Sequence, residues 1–477
     1  MVRLRFAPSP TGYLHVGGLR TALFSYLYAR QQKGAFIFRL EDTDQQRLVE
    51  GAEDNLIKML QWAGLEIDEG ADKGGEYGPY RQSERLPVYH KHAQQLLDDG
   101  NAYHCFCSSE TLDAMRDEQK AKNLPIRYDG RCRHLSSQDV EEKLKVESSH
   151  VVRMKIPENE QMVMSDLIRG TVIIETDQLD DQVLIKADGF PTYHLAVVVD
   201  DHLMEISHVV RGEEWLPSLP KHLLLFRYLK WRPPQFAHLP LILNPDRSKL
   251  SKRQGDVAVE DFRDKGYLPE ALVNFIVLLG WNTAGDQELF SFQELIENFS
   301  FDRVGKAGSI FDNEKLNWMN QQYLHQLSPD ELFERLIPYI RDTAFADQDE
   351  TKLRKVCSIL QPRLVTLADI QDKLSLFFEE SPQLTDPELI EALREDSAQT
   401  VLRAFQEEAR NTEAITEDNF PAIMKSVQKS TGIKGKKLWP PMRYALTLEK
   451  NGPDLPLVAG VFGKKRCLRM IEQALNL

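Results

Sequence analysis

The sequence predicts a multidomain α/β protein: a doubly wound parallel sheet split by an inserted domain, followed by a tail built almost wholly of helices. Three observations carry this prediction. Strand and helix patterns alternate through residue 62, strand-type apolar runs return after residue 190, and beyond about residue 325 strand patterns nearly vanish. The stretch between the two strand-bearing halves has a different texture, with a cysteine cluster and short strand-like pieces.

At 477 residues the chain has room for roughly three domains of about 150 residues, each with its own core. Its 42% hydrophobic and 28% charged content excludes the disordered, collagenous and disulfide-stapled classes. A net charge of −14, from 59 Lys and Arg against 73 Asp and Glu, argues against non-specific coating of nucleic acid. It leaves room for a local basic face, and residues 420–477 hold eleven Lys and Arg against three Asp and Glu. The N-terminus carries charge where a signal peptide needs an apolar core, and the most apolar stretch, Ala271 to Trp281, is too short to span a bilayer. Five cysteines, three of them clustered, favour reduced thiols or a metal over disulfides. The expectation is a cytoplasmic protein without a membrane partner.

In chain order, Val2, Leu4 and Phe6 alternate with Arg3 and Arg5 as in a short strand, and Pro8-Ser9-Pro10-Thr11-Gly12 forces a turn. Leu19, Leu23, Tyr26 and Leu27 then recur at helical spacing. Phe36 to Leu40 is a second strand signal, ending in Glu41-Asp42-Thr43-Asp44, and Ala52 to Trp62 reads as an amphipathic helix. Within the insert Val151 to Met154 and Thr171 to Ile174 are strand-like. Leu195 to Val199 is a continuous apolar run, and Ile206 to Val210 an apolar segment interrupted by Ser207 and His208; both read as buried-strand type. Ser328-Pro329-Asp330-Glu331 is a capping box with Pro at the first helical position, and Thr385-Asp386-Pro387-Glu388 repeats that logic. The expected boundaries are a Rossmann-type domain over 1–87 and 190–245, an insert over 88–189, a further region over 246–325, and a helical region over 326–477 with a subdomain boundary near 385.

The turn before the first helix, followed by His15-Val16-Gly17-Gly18, sits where an open α/β sheet exposes its ligand crevice. Small residues let phosphates approach the backbone, and His15 adds a donor at the positive helix end. Alone, such a fragment is more often plain turn chemistry. The second fragment, Asp246 to Asp256, is a basic small-residue loop whose bland reading is a solvated turn. Together, His15-Val16-Gly17-Gly18 and Lys249-Leu250-Ser251-Lys252-Arg253 resemble the paired signatures of the class I aminoacyl-tRNA synthetases. Within that class the chain is most similar to the bacterial glutamyl branch, through Arg5 to Gly12, Arg39 to Asp44, Gly189 to His194, Val199 to His202, Val210 to Glu213, Gly266 to Leu272 and Lys315 to Met319.

The resemblance implies ATP-dependent attachment of L-glutamate to tRNA(Glu), through glutamyl-adenylate and then transfer to the terminal adenosine, by a monomer that discriminates against tRNA(Gln). It implies a catalytic set of His15, Lys249 and Lys252, with Mg²⁺ on the ATP phosphates. Pro10, Gly12, His15, Gly17, Gly18, Glu214, Trp215 and Lys252 are expected to hold ATP. Arg5 and Arg211 are expected to face glutamate carboxylates, Glu41 its ammonium, and Ser9 and Tyr193 to supply hydroxyls. The insert then becomes an acceptor-stem domain, 246–325 a stem-contact region, and the tail an anticodon-binding region in which Arg363 senses the third anticodon base.

Cys105, Cys107, Cys132 and His134 form a Cys-x-Cys, Cys-x-His set that satisfies tetrahedral, structural Zn²⁺. The competing reading is three free buried thiols; some glutamyl enzymes carry this ligand set, which favours zinc. The chain departs from the class signatures at Gly18 and Arg253, and Val197 stands where some relatives place a polar residue. The rivals are a truncated relative that glutamylates a modified tRNA base, which lacks a tail; a glutaminyl enzyme, which would end in β-barrels; and a non-catalytic sensor.

Overall fold

A computed structural model describes residues 1–146, 149–250 and 257–477. The chain forms two compact units, residues 1–262 with 272–312, and residues 263–271 with 313–477.

The first unit begins with β1 (Arg3–Phe6), α1 (Val16–Gln31), β2 (Ala35–Phe38), α2 (Ala52–Trp62) and β3 (Glu69–Gly70). It continues through α3 (Leu86–Asp98), β4 (Ala102–Cys105), α4 (Ser109–Ala121), α5 (Ser137–Val146), β5 (Val151–Met154), β6 (Gln161–Asp166), β7 (Gly170–Glu175) and β8 (Val183–Ile185). Then come α6 (Tyr193–Leu203), β9 (His208–Gly212), α7 (Leu219–Tyr228) and β10 (Gln235–Leu239). The main sheet has the order β3-β2-β1-β9-β10-β6-β7, parallel except for the β6–β7 hairpin. Strand order reverses between β1 and β9, so the crevice beyond their carboxyl ends is the place for a ligand.

All four residues of β1 are buried, arginines included. The alternating sequence suggests one wet face, but both faces are covered, and Arg3 and Arg5 are neutralised by Glu69 and Asp201. Leu195 to Val199, expected as a strand, lies in α6 with every residue of the run buried. A continuous apolar run carries no period, so it fits a buried helix as well as a buried strand. Part of the expected insert, β4-β5-β8, forms its own antiparallel sheet. The β6–β7 hairpin from the same stretch instead joins the main sheet, with Asp166 opposite Phe236 of β10.

The second unit is helical. Ser328 caps Pro329–Arg341 through both bonds of a capping box. The helix Pro387–Arg394 is capped by Asp386, not Thr385, and without a reciprocal box: Asp386 accepts from Glu388 N and Pro387 fills the first turn. Leu332, Leu336, Phe405, Phe420 and Val458 are among its fully buried side chains. Each removed from water contributes about 1.5–3 kcal/mol. Among the described residues no helix is long and apolar enough to cross a membrane.

Candidate active site

A cleft of about 910 Å³ opens at the β1/β9 reversal. Arg5, Ser9, His15, Gly17, Gly18, Glu41, Tyr193, Arg211, Glu214, Trp215 and Lys249 all line it. Pro10 and Gly12 do not. Pro10 is buried and accepts a hydrogen bond from Val49 N, so it holds the turn from behind. Lys252 lies outside the described residues.

The first wall comes from β1, α1 and their turn. His15 caps α1, its Nδ1 accepting from Gly18 N at 3.1 Å, which leaves Nε2 as the N–H donor of the neutral ring. A Cβ at Gly17 would stand 3.1 Å from that ring, and one at Gly18 3.1 Å from Leu14 Cδ1, so both glycines keep the helix entrance open. Lys249 Nζ reaches Glu214 Oε1 at 3.5 Å.

Below it sits a buried ionic cluster. Arg5 meets Asp201 through two contacts; Arg39, without solvent exposure, donates to Asp201 Oδ1 at 2.7 Å and to Glu41 Oε1 at 3.0 Å. Asp200, equally buried, accepts from Arg85, Gln82 and Tyr89. Burial pushes the Glu41 carboxyl up to about 7 against the downward pull of Arg39 and Arg5.

Arg211 stands apart from this cluster. Its Nε donates to His238 Nε2 at 3.0 Å, its Nη1 to Tyr193 Oη at 3.3 Å and His222 Nδ1 at 3.1 Å, and its Nη2 to Trp215 O at 3.5 Å. Among the described residues these partners are all uncharged. A guanidinium only donates, so both rings must present bare nitrogens: His238 carries its proton on Nδ1, toward Asp166 Oδ2 at 2.6 Å, and His222 on Nε2, toward His194 Nδ1 at 3.0 Å. Burial lowers the pKa of both histidines, His222 most strongly, with Arg211 adding to the effect; for His238 the hydrogen bond with Asp166 opposes it.

Among the described residues, a buried cation bonded to neutral groups thus stands at the switch point of a parallel sheet, where such a sheet exposes its ligand crevice. Residues 1–318 match the catalytic domain of class I tRNA synthetases (E and Q), and residues 331–475 an anticodon binding domain. A glutamate–tRNA ligase from Alkaliphilus metalliredigens is 49% identical over 99% of this chain and 98% of its own length. This chain belongs to the glutamate–tRNA ligase family of class I synthetases. The ligase of Clostridioides difficile is 46% identical over 100% of this chain and 99% of its own. The crystal structure of a glutamate tRNA ligase from Elizabethkingia meningosepticum, in complex with its amino acid, superposes with a TM-score of 0.91 at 36% identity, covering 100% of this chain and 99% of that one.

In this synthetase Cys105, Cys107 and Cys132 converge, their Sγ atoms within 4.8 Å of one another and those of Cys107 and Cys132 at 3.6 Å. Thiolates about 2.3 Å from a tetrahedral zinc stand at such separations. His134, expected as the fourth ligand, is not in the group; it is exposed. Residues two apart share a side only in an extended strand, and Arg131 to His134 is a turn that also draws Arg133 onto Asp181. The Tyr128 hydroxyl lies at the cluster instead, 3.3 Å from Cys105 Sγ and 3.7 Å from Cys107 Sγ.

In the tail Arg363 closes the short turn Gln361–Arg363 and donates to Glu449 Oε2 at 3.3 Å. The basic end divides in two. Lys425, Lys429, Lys434, Lys436 and Lys437 are exposed. Lys464, Arg466 and Arg469 are engaged with backbone carbonyls of Arg410 and Thr412, Leu376, and Glu380.

Sequence reasoning assigns no role to Asp201, Arg39, Asp166, His222 or His238. Asp201 and Arg39 stand inside the motifs that carry the resemblance; the histidines and Asp166 have no local signal.

Proposed function

We propose that the protein attaches L-glutamate to tRNA(Glu) as a cytoplasmic monomer. A glutamate carboxylate oxygen attacks the α-phosphorus of ATP and pyrophosphate departs; a hydroxyl of the terminal adenosine then attacks the acyl carbon and AMP departs. No protein nucleophile is needed. The observation that carries this reading is Arg211, a buried guanidinium whose partners are neutral and whose Nη2 retains donor capacity.

Glutamate complements the site in charge. Arg211 receives one carboxylate and Arg5, oriented by Asp201, the other; Glu41 takes the ammonium, and Tyr193 and Ser9 add hydroxyls. Glutamine would present an amide where Arg211 needs an anion and leave that charge uncompensated, so selection works through binding. His15 Nε2, the N-terminus of α1 and Lys249, with Lys252 outside the described residues, attract the triphosphate near Gly17, Gly18, Glu214 and Trp215. Mg²⁺, which offsets phosphate charge, would arrive on ATP and needs few protein ligands; Asp44 and Glu214 line the cleft. Zn²⁺ would be held by Cys105, Cys107, Cys132 and the Tyr128 hydroxyl, pinning the chain segments that carry them. Residues 88–189 serve the acceptor stem, 246–325 the stem contact, and 326–477 the anticodon, with Arg363 favouring tRNA(Glu) over tRNA(Gln).

ATP–pyrophosphate exchange with glutamate, run with and without tRNA, tests the proposal. Glutamate-dependent exchange is expected when tRNA is present. Folded protein that shows none under either condition would overturn it.

A further inference from the structure

The side chains that hold Arg211 lead to the β6–β7 turn. His238 of β10 joins Arg211 Nε to Asp166, which ends β6. Asp166 is fixed in turn: its Oδ1 accepts from the N–H groups of Ile168 and Arg169 at 2.9 and 2.8 Å. Arg169 secures the same turn, pairing with Glu213 Oε2 at 2.6 Å and donating to His238 O at 3.2 Å. The turn thus grips both sides of Arg211, the neighbouring strand and the residue two positions on.

We propose that His238 and Asp166 are positioning residues for Arg211, setting the angle at which its guanidinium meets the substrate carboxylate. The inference rests on the reading that Arg211 binds substrate. A guanidinium is planar, so a directed bond at Nε fixes the plane and with it the direction of Nη2. An aspartate bonded to Arg211 directly would fix that plane too, but would spend its charge. An imidazole between Asp166 and Arg211 transmits the orientation and leaves the cation unpaired for the ligand. Glutamate affinity therefore depends on a hairpin that lies outside the cleft.

The test compares full-length variants in ATP–pyrophosphate exchange with tRNA present, alongside thermal melting. His238→Leu is expected to raise KM for glutamate about ten- to a hundredfold, the loss of one hydrogen bond to a charged group, with KM for ATP within about twofold. His238→Gln, whose amide both accepts and donates, is expected to recover most of that loss. Melting near the wild-type temperature with an unchanged glutamate KM, or a parallel rise in both KM values that His238→Gln does not rescue, would overturn the proposal. Should His238→Leu fail to fold, Asp166→Asn decides: a folded variant with a raised glutamate KM supports the inference, and one with wild-type KM values overturns it. Arg211→Lys is the reference. If it leaves glutamate KM unchanged, the reading of Arg211 itself fails; if it raises KM while the His238 and Asp166 variants do not, this inference alone fails.

Discussion

Arg5 and Asp201 meet through two contacts, Nε to Oδ1 at 3.0 Å and Nη2 to Oδ2 at 3.4 Å, with both side chains out of solvent. Asp201 also receives Arg39, so one carboxylate orients two buried cations, one on β1 and one just past the end of β2. Asp201→Asn removes that charge and leaves both guanidiniums under-compensated. The expected loss is about 3–5 kcal/mol of stability, read from urea unfolding, with a raised glutamate KM in whatever fraction folds.

Glu41 supplies a pH signature. Its carboxyl rises from an ordinary 4.5 to about 7 in the folded protein, chiefly through burial. The native state therefore keeps a proton that the unfolded chain has released between those values, and the contribution of Glu41 to stability is full below about pH 4.5 and lost as pH rises through 7. Binding runs the other way, because an ammonium needs the carboxylate. kcat/KM for glutamate should climb toward pH 7, and Glu41→Gln should flatten that limb while raising KM; a pH profile unaltered by the substitution would refute the role.

The metal assignment separates two residues. Protein purified without chelator should hold one equivalent of zinc by elemental analysis. His134→Ala should retain it and Cys107→Ser should lose it, with Tyr128→Phe weakening retention under chelator challenge. Loss of zinc in His134→Ala would restore the histidine as a ligand.

Arg363→Gln should relax discrimination against tRNA(Gln), measured as the ratio of kcat/KM for the two tRNAs. The tie from Arg363 to Glu449 is long and partly exposed, so stability should change by less than about 1 kcal/mol. An unchanged ratio would remove Arg363 from anticodon selection.

The two halves of the basic end should behave differently. Replacing Lys425, Lys429, Lys434 and Lys436 by Gln should weaken tRNA binding and flatten its salt dependence by about 0.7–0.9 in slope for each phosphate no longer neutralised. Lys464→Met should instead lower the melting temperature, because its ammonium holds the carbonyls of Arg410 and Thr412. Equal effects on tRNA binding from both groups would contradict this division.

Local chemistry is readable in the chain; the partners of that chemistry are not. The Ser328 box is legible because its two bonds close within four residues. The Thr385 segment looks the same, yet Asp386 takes the cap, since adjacent Thr and Asp compete for one helix end. Ser9, Arg5, Glu41 and Arg211 stand out through motif and resemblance, and the cleft gathers them. Asp201 lies 196 residues from Arg5, and Asp166 lies 72 from His238; no spacing rule connects such pairs. The cysteines are legible as a cluster, but which fourth side chain approaches them depends on a turn.

The sequence by itself determined the alternation that builds a parallel sheet and the helical tail, because these follow from periodicity and capping along the chain, and its motifs carried the resemblance that pointed to the family. Only the tertiary structure decided that Leu195 to Val199 is helical, that the Tyr128 hydroxyl rather than His134 lies beside the three cysteines, and that Arg211 is held by neutral imidazoles while Arg5 is held by a carboxylate. The physical reason is desolvation: which buried cations are paired with a carboxylate, and which are held by neutral groups, is settled by what burial brings together across the fold.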